Sequence, residues 1–502
     1  MLYEELMLDS SLLLRFKIFH YLNQSSMQIF PVNQLSDVMD LNYQQTVIEL
    51  NEIDQELKDI HPEHESIMMR AGKINLDNLS ATVDEYRYHL LKQSVPFQFI
   101  LYFLNEEIPT IKAFCDEYFV SRSTISRKIN RLKRYLKTFN LRFTYTEAGM
   151  SGDERLIRIA LFDILWLGTR GLDYPLEVNQ QLVDQSVETF QSYFPLSRTY
   201  FGVRELRLFA GISLLRLNKQ HFTKYDSRYN FLMKDNPYYD FTSLGKIIDV
   251  PLTTRQLKGE TSFIYFLAHY APFYTVRDDS SLKQTIHDFD TRPNPVNAFV
   301  TEFRRFGKKA LFPDKPEILD DPLIIGNLLN ITFAYYIFRQ PFPNIMSMVF
   351  KPSQNQSYGE HVIEQNIMNF MQIVGENPDY QFIRPVGVLL GKSFKHLLMP
   401  SFNQFPYAQN LRLGIAMEHN AMFVQELYHF LEDLRFVQAE PYDASLKEDY
   451  DLIISSSMLL RSEKTKLPIY VLDHNYKEKD LIPLYTKLRE IYGQKNRANA
   501  KS

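Results

Sequence analysis

Residues 120–146 constrain the fold more than any other part of the chain. Apolar residues recur there at intervals of four and three, the spacing of one face of a helix. These residues are Ile125, Ile129, Leu132, Leu136 and Phe139. Ser121 stands where a helix N-cap is expected, so we predict one long helix from there to about Phe139. A short helix at 108–118 and a turn at 119–121 would complete a helix-turn-helix.

The opposite face of this helix carries the residue types that read DNA. Residues 120–146 contain eight Lys or Arg and no Asp or Glu, although the whole chain has 56 basic and 60 acidic residues. Arg can pair with guanine, Asn with adenine, and hydroxyl groups with bases or phosphates. We predict that four residues read or position DNA: Arg122, Ser126, Arg127 and Asn130. The predicted interface also includes Ser121, Ser123 and Thr124, and four residues that would serve phosphates: Arg131, Lys133, Arg134 and Arg142. A basic face that only contacts solvent is the alternative interpretation.

An acidic copy of the same pattern precedes it. Residues 11–76 predict short helices followed by a small β wing, with Asn42 as the N-cap of a helix from Tyr43 to Ile60. The apolar residues expected in its core include Leu12, Leu13, Phe16, Phe19, Leu35, Val38 and Met39. Between Ile18 and Met69 the chain has one basic residue, Lys58, against nine acidic ones. Because DNA is a polyanion, we expect an auxiliary or packing role for this copy.

The rest of the chain predicts a mainly α protein with a small C-terminal α/β domain. Helical patterns continue to about residue 400, and after residue 410 short apolar strands alternate with helices, which predicts a parallel sheet. Glycine is scarce, at 17 residues, which argues against a nucleotide-binding enzyme. The single cysteine, Cys115, excludes a disulfide within the chain.

The chain resembles the Mga/AtxA-type virulence regulators of Gram-positive bacteria. The resemblance is most specific in residues 121–136 and in the stretch from Gly152 to Arg158. It implies a DNA-binding transcription regulator, an activator, that forms a homodimer or a higher oligomer on promoter DNA. It also implies five domains: helix-turn-helix domains at 1–80 (winged) and 81–170, PTS-regulation domains at 171–290 and 291–400, and an enzyme IIB-like dimerisation domain at 401–502.

The resemblance further implies regulation by histidine phosphorylation, with the phosphoryl group supplied by HPr or a related PTS phosphocarrier. The candidate acceptors are His221, His269, His396 and His361. A working enzyme IIB domain of this type carries its phosphate on a cysteine after the first strand. The corresponding residues 416–421 contain no cysteine, and His419 is a poor substitute. We therefore expect this domain to mediate dimerisation rather than phosphotransfer.

An enzyme is not expected. The chain contains none of the Walker, GxGxxG, HExxH, GxSxG or CxxC motifs, and we expect no cofactor. The run His61 to Glu65 is interpreted as a solvated loop, not a metal site. The N-terminus is acidic, and the longest uncharged run, 322–338, has 17 residues, so we expect a cytoplasmic protein without a membrane span. A PTS-controlled sugar-operon activator and an antiterminator-like regulator remain as alternatives.

Overall fold

The computed structural model of the protein describes most of the chain. The described residues are 2–25, 27–144, 148–191, 201–233, 244–248, 250–349, 358–402, 410–417, 421–434, 436–443, 445, 450–456, 468–472 and 476–499. Helices dominate, which confirms the predicted mainly α class. The chain forms two compact units: the first comprises Met1–Val300, Ile325–Pro352 and Asp379–Val386, and the second comprises Thr301–Ile324, Ser353–Pro378 and Gly387–Ser502. The predicted division into five domains stays a prediction.

The secondary structure of the described residues is as follows. The helices are α1 Leu2–Met7, α2 Ser10–Asn23, α3 Val32–Met39, α4 Tyr43–Ile60, α5 Val83–Gln93, α6 Val95–Asn105, α7 Ile111–Glu117, α8 Arg122–Lys128, α9 Asn130–Lys137, α10 Glu154–Thr169, α11 Gln180–Phe190, α12 Gly202–Asn218, α13 Asn230–Met233, α14 Leu244–Ile247, α15 Thr254–Leu267, α16 Ser280–Asp290, α17 Pro295–Ala310, α18 Pro322–Phe338, α19 Ile345–Val349, α20 Tyr358–Gly375, α21 Gly387–Phe402, α22 Ala421–Glu432 and α23 Glu478–Asn499. The strands are β1 Ile29–Pro31, β2 Met68–Met69, β3 Lys73–Asn75, β4 Arg142–Thr144, β5 Gly149–Ser151, β6 Leu411–Ala416, β7 Val437–Pro441, β8 Leu452–Ser455 and β9 Ile469–Val471.

The N-terminal part of the first unit has the topology of a winged helix-turn-helix. Helices α2, α3 and α4 pack with an antiparallel sheet in the order β1-β3-β2. Asn42 caps α4 as predicted, since its side chain accepts a hydrogen bond of 2.8 Å from the Gln45 amide. The prediction that Val38 lies in the core is wrong, because its side chain is 49% exposed. The buried side of α3 is formed by Val32, Leu35 and Ser36. Val38 is two positions past Ser36 and therefore lies on the opposite side of the helix.

The apolar helix α18 is a core helix. Its buried Asn327 exchanges two hydrogen bonds with the backbone of Tyr274, at 3.0 and 2.9 Å. Asn330 donates a further bond of 3.0 Å to the carbonyl of Ala271. These amides need their partners because a buried polar group without one is costly. Within the described parts of the chain, no helix is both long and apolar enough to span a membrane.

The C-terminal part of the second unit contains a four-stranded parallel sheet in the order β7-β6-β8-β9. Helix α22 leads from β6 to β7, as a parallel connection requires. The described core of this sheet is apolar and includes Leu411, Leu413, Leu427, Leu452, Ile454, Leu484 and Leu488. The alternation of strands and helices predicted for this region is therefore present.

Candidate nucleic-acid interface

The turn between α7 and α8 is built from local backbone signals. Phe119 adopts a left-handed conformation with φ of 52°, which reverses the chain after α7. The Val120 amide closes the turn by donating to the Cys115 carbonyl at 3.1 Å. Ser121 then starts α8, because its side chain accepts a bond of 3.1 Å from the Thr124 amide. The predicted turn and its serine cap are both present.

The single long helix predicted after this turn is instead two helices, α8 and α9. Ile129 separates them with φ of −81° and ψ of −3°, so its ψ departs from the value of about −42° of a regular α-helix. Its amide still donates to Ile125 at 2.9 Å and its carbonyl accepts from Lys133 at 2.8 Å, so the chain continues in nearly the same direction. Helix α9 ends at Lys137, and Asn140 beyond it is left-handed with φ of 61°.

The two faces of α8 and α9 differ as the sequence pattern indicates. The apolar residues are all buried: Ile125, Ile129, Leu132, Leu136 and Phe139. The polar residues on the other side are exposed, and we call them the basic face: Arg122, Ser123, Ser126, Arg127, Asn130 and Arg134. The scaffold therefore presents three arginines, two hydroxyls and an amide to solvent.

Five other predicted contact residues differ in their surroundings. The Ser121 hydroxyl is engaged as the cap of α8, and Thr124 and Lys133 are half-buried. Arg131 is exposed, but its Nη1 donates to the backbone carbonyl of Glu5 at 3.0 Å. Arg142 lies exposed on β4. Which of them touch DNA stays a prediction.

The sequence did not predict the structural role of Lys128, the last residue of α8. Lys128 is bonded to Asp9 at 2.7 Å, and α1 packs against α9. The ion pair, together with carboxyl-to-backbone hydrogen bonds, holds the pKa of Asp9 below its ordinary value although burial acts in the opposite direction. Because the partners are 119 residues apart, no local pattern could have indicated the contact.

A two-stranded wing follows α9. Strands β4 and β5 pair antiparallel, with Arg142 opposite Ser151. Gly152 ends the wing with φ of +146°, and a Cβ there would lie 2.6 Å from the Leu141 side chain. Only glycine fits this position without displacing its neighbours. The tip of the wing, residues 145–147, lies outside the described residues.

The stretch after Gly152 forms a buried charge cluster at the start of α10. Asp153 is the N-cap of this helix. Glu154 accepts bonds from Arg158 at 3.0 Å and from Arg216 at 2.9 and 2.7 Å. Arg158 also bonds Glu260 on α15 at 2.6 and 3.1 Å. We call Glu154, Arg158, Arg216 and Glu260 the charge cluster; it ties the helix that follows the wing to α12 and α15.

The charge cluster favours the ionised forms of its members. Burial raises the pKa of Glu154, but the hydrogen bond and charge of Arg216 and the charge of Arg158 hold the net pKa below its ordinary value. Burial likewise works against the charge of Arg158, whereas Glu260 and Glu154 raise its pKa above the ordinary value. The stretch from Gly152 to Arg158 was identified from the sequence as part of the resemblance. The sequence did not predict its ion-pair partners, Arg216 and Glu260.

The candidate histidines lie in four different settings. His221 is exposed, and partial burial followed by the charge of Arg216 lowers its pKa. His269 lies just past the end of α15 with Nδ1 3.3 Å from Thr285 Oγ1, and burial lowers its pKa to about 4. His361 on α20 is exposed, and exposed His396 on α21 bonds the Lys392 carbonyl through Nδ1 at 2.8 Å. His419 lies outside the described residues.

The histidine-rich run at 61–65 has a structural explanation. The ring of His64 lies between Asp54 and Ser80, each 3.0 Å from one ring nitrogen. Asp54 also accepts from the amide of Ile67 at 2.7 Å at the start of the wing. His64 thus fastens the first wing to α4, and no cluster of three or more possible metal ligands occurs among the residues that the structure describes.

The comparison with known protein families agrees with this geometry. Residues 79–165 match the family model of the Mga helix-turn-helix domain. The match spans α5 to α9, the wing and most of α10, so it contains the basic face in full. A comparison with curated proteins finds no match to the chain. Residues 79–165 therefore form a helix-turn-helix domain of the Mga type.

Proposed function

We propose that the protein is a transcription activator that contacts promoter DNA through the basic face of α8 and α9. One observation carries the proposal: a Mga-type helix-turn-helix exposes three arginines, Ser123, Ser126 and Asn130 on the side opposite its buried stripe. Second helices of this motif lie in the major groove, where such side chains reach base edges. The acidic first winged domain would be repelled by DNA over most of its surface.

Within this face, Arg127 and Asn130 are the proposed base readers. Both are exposed on adjacent turns of the α8–α9 pair, and both have side chains that make two hydrogen bonds to one base. Arg122 and Arg134 lie toward the two ends and fit contacts to the flanking phosphates, with Arg142 on the wing as a further phosphate contact.

A binding assay on the full chain tests the proposal. The fluorescence anisotropy of a labelled promoter-length duplex is measured for the protein and for Arg127→Ala. We expect the variant to lose about 1–3 kcal/mol of binding free energy if Arg127 makes a bidentate base contact. Arg305→Ala is the matched control, since Arg305 is an exposed arginine on α17 that pairs with Glu302. Equal affinities of all three proteins would place the DNA contact elsewhere.

We also propose that phosphorylation by HPr or a related PTS phosphocarrier tunes this activity, with His221 as the first acceptor. Phosphotransfer needs an accessible, neutral imidazole nitrogen, and His221 combines exposure with a lowered pKa. His269 is neutral but packed against Phe289, and His396 uses one ring nitrogen within its helix. His361 is exposed on α20 and remains the candidate of the second unit with His396.

Transfer of radiolabelled phosphate from a phosphorylated carrier tests this order of acceptors. We expect His221→Gln to remove most of the label and His269→Gln to remove little. His20→Gln is a control, because His20 lies on α2 in the first winged domain. Full labelling of the His221 variant would exclude His221 as the main acceptor.

A homodimer formed through the C-terminal sheet domain is the last part of the proposal. Helix α23 buries Leu481, Leu484 and Leu488 but leaves Ile482 65% exposed and Tyr485 42% exposed. Exposed large apolar residues next to each other on one helix are typical of an interface. A second copy of the chain is the occupant that the resemblance implies.

A further inference from the structure

A polar groove lies at the junction of the wing, α12 and α15. It has a volume of about 710 Å³ and opens to solvent. The residues that the argument uses are Arg216, His221, Thr223, Lys224, Arg255 and Gln256, all of which line it. The described groups facing it that carry charge are three cations and one carboxylate, Glu154, which is already bonded to two arginines. The groove therefore has a positive excess and suits an anion.

Two buried hydrogen-bonding groups of the groove residues have no partner within the described chain. They are Nη1 of Arg216 and the hydroxyl of Thr223, whose residues are 1% and 3% exposed. Leaving such groups unpaired in the interior is unfavourable, and more so for a charged group. Both groups can donate a hydrogen bond, so a ligand that reaches them from the groove would present acceptor oxygens.

The backbone around Thr223 is held in place before any ligand binds. Its amide donates to Glu260 Oε1 at 2.6 Å, and Arg158 Nη2 donates to the carbonyl of His221 at 2.9 Å. A Cβ on Gly259 would lie 2.4 Å from the Thr223 carbonyl, so the glycine allows this segment to approach α15 closely. The groove is thus preorganised by the charge cluster.

The N-terminus of α15 adds to the positive potential. Thr253 and Gln256 form a capping box there, and Arg255 and Gln256 belong to the first turn of a 14-residue helix. The positive end of a helix dipole favours anions near the first turn. The lowered pKa of His221, caused by partial burial and then by Arg216, agrees with a positive surrounding.

We propose that this groove is a binding site for a phosphoryl dianion. Arg216, Thr223, Lys224 and Arg255 would hold its oxygens, and Arg216 would share its charge between this ligand and Glu154. The dianion has two possible sources, a free phosphate monoester or a phosphoryl group on His221. The second source rests on the proposed function, whereas the first does not. Glu154 is the first residue of α10 and follows the wing directly. A ligand that binds Arg216 would therefore change the ion pair of a residue next to the wing.

The first arm of the test measures free ligands. The full chain is titrated calorimetrically with inorganic phosphate and with glucose 6-phosphate. We expect binding that weakens about tenfold in Thr223→Val and in Arg255→Gln, the effect of losing one charge-assisted hydrogen bond. Lys258→Gln is the control, since Lys258 lies on α15 above the Tyr225 ring at 4.2 Å and does not line the groove.

The second arm measures the covalent source. The chain is labelled by a phosphorylated carrier, and the hydrolysis rate of its phosphohistidine is compared among the same variants. Faster loss of label in Thr223→Val and Arg255→Gln, but not in Lys258→Gln, supports His221 as the source. Effects in the first arm alone support a free monoester. Absence of both effects overturns the site.

The DNA affinity of each preparation is measured in parallel. A protein that binds DNA through Arg127 but shows neither effect retains the proposed function and loses this inference. A protein that binds phosphate in the expected manner without binding DNA has the site and not the proposed function.

Discussion

Arg158 is fully buried between Glu154 of its own helix and Glu260 of α15. Such a group is stable only while its partners are charged and in place, because removing one carboxylate leaves the guanidinium uncompensated in a poorly solvated site. The integrity of the first unit therefore depends on buried ion pairs as well as on its hydrophobic core.

Glu260→Gln should destabilise the first unit by about 3–5 kcal/mol, the usual cost of breaking a buried ion pair from one side. The variant removes the negative charge of residue 260 that pairs with Arg158. It also weakens the oxygen that accepts the hydrogen bond from the Thr223 amide. The denaturant midpoint and the hydrogen exchange of α10 report the loss. Glu302→Gln, in an exposed pair on α17, serves as control and should change neither. An unchanged midpoint for Glu260→Gln would contradict this account of the charge cluster.

The free energy of unfolding should also decrease at low pH, because Glu154 becomes protonated there. Its folded pKa lies below the ordinary value of 4.5, so the ionised form stabilises the fold above that pH, and the contribution is lost as the pH falls from about 4.5 through the folded pKa. We expect the melting temperature of the wild type to decrease over this window. Glu154→Gln should be less stable at neutral pH and should have a flatter profile below pH 4.5. Parallel profiles would argue against the role of Glu154.

At the scale of elements, α8 and α9 show what a sequence pattern can and cannot predict. The cap at Ser121 and the buried stripe depend on neighbours within a few residues, and both were predictable. The break at Ile129 has no glycine or proline to mark it. The partners of Lys128 and Arg131 lie in the N-terminal segment, more than 100 residues away in sequence. The partner of Arg158 in α15, Glu260, is also more than 100 residues away. Such tertiary contacts do not produce a periodic pattern in the sequence.

Ser121→Ala tests the link between the cap and the start of the proposed recognition helix. Losing the bond from the Thr124 amide should cost about 1 kcal/mol, which corresponds to roughly fivefold faster exchange of the first amides of α8. Hydrogen-exchange mass spectrometry of residues 119–129 measures the change. Thr110→Ala, which removes the cap of α7, is the matched control and should act on α7 alone. If exchange in α8 stays at the wild-type rate, the cap does not stabilise this helix.

At the scale of the whole molecule, the mainly α class and the parallel C-terminal sheet were predictable because both follow from the order of local patterns along the chain. The charge cluster and the groove beside it were not. They arise where α10, α12 and α15 meet. Their ion-pair partners are 62 to 102 residues apart in the sequence, so no local pattern indicates them. The predicted role of the C-terminal domain in dimerisation is a property of this scale too.

Ile482→Glu should shift the protein from the proposed dimer to a monomer. A charge at the centre of an apolar interface would be desolvated without a partner, whereas in the monomer it faces water. Light scattering after size exclusion measures the mass. Lys479→Glu on the same helix is the control for a change of charge. A dimer that persists in Ile482→Glu would place the interface elsewhere.

The central claim is that the basic face of α8 and α9 binds DNA. The most direct test is the salt dependence of duplex binding for the wild type and for Arg127→Ala/Arg134→Ala, with Arg305→Ala as control. Each lost phosphate contact should reduce the slope of log affinity against log salt by about 1. We expect the double variant to bind more weakly and, because Arg134 is the proposed phosphate contact of the two, with a slope lower by about 1, while the control matches the wild type. Identical slopes and affinities for the double variant and the wild type would contradict the claim.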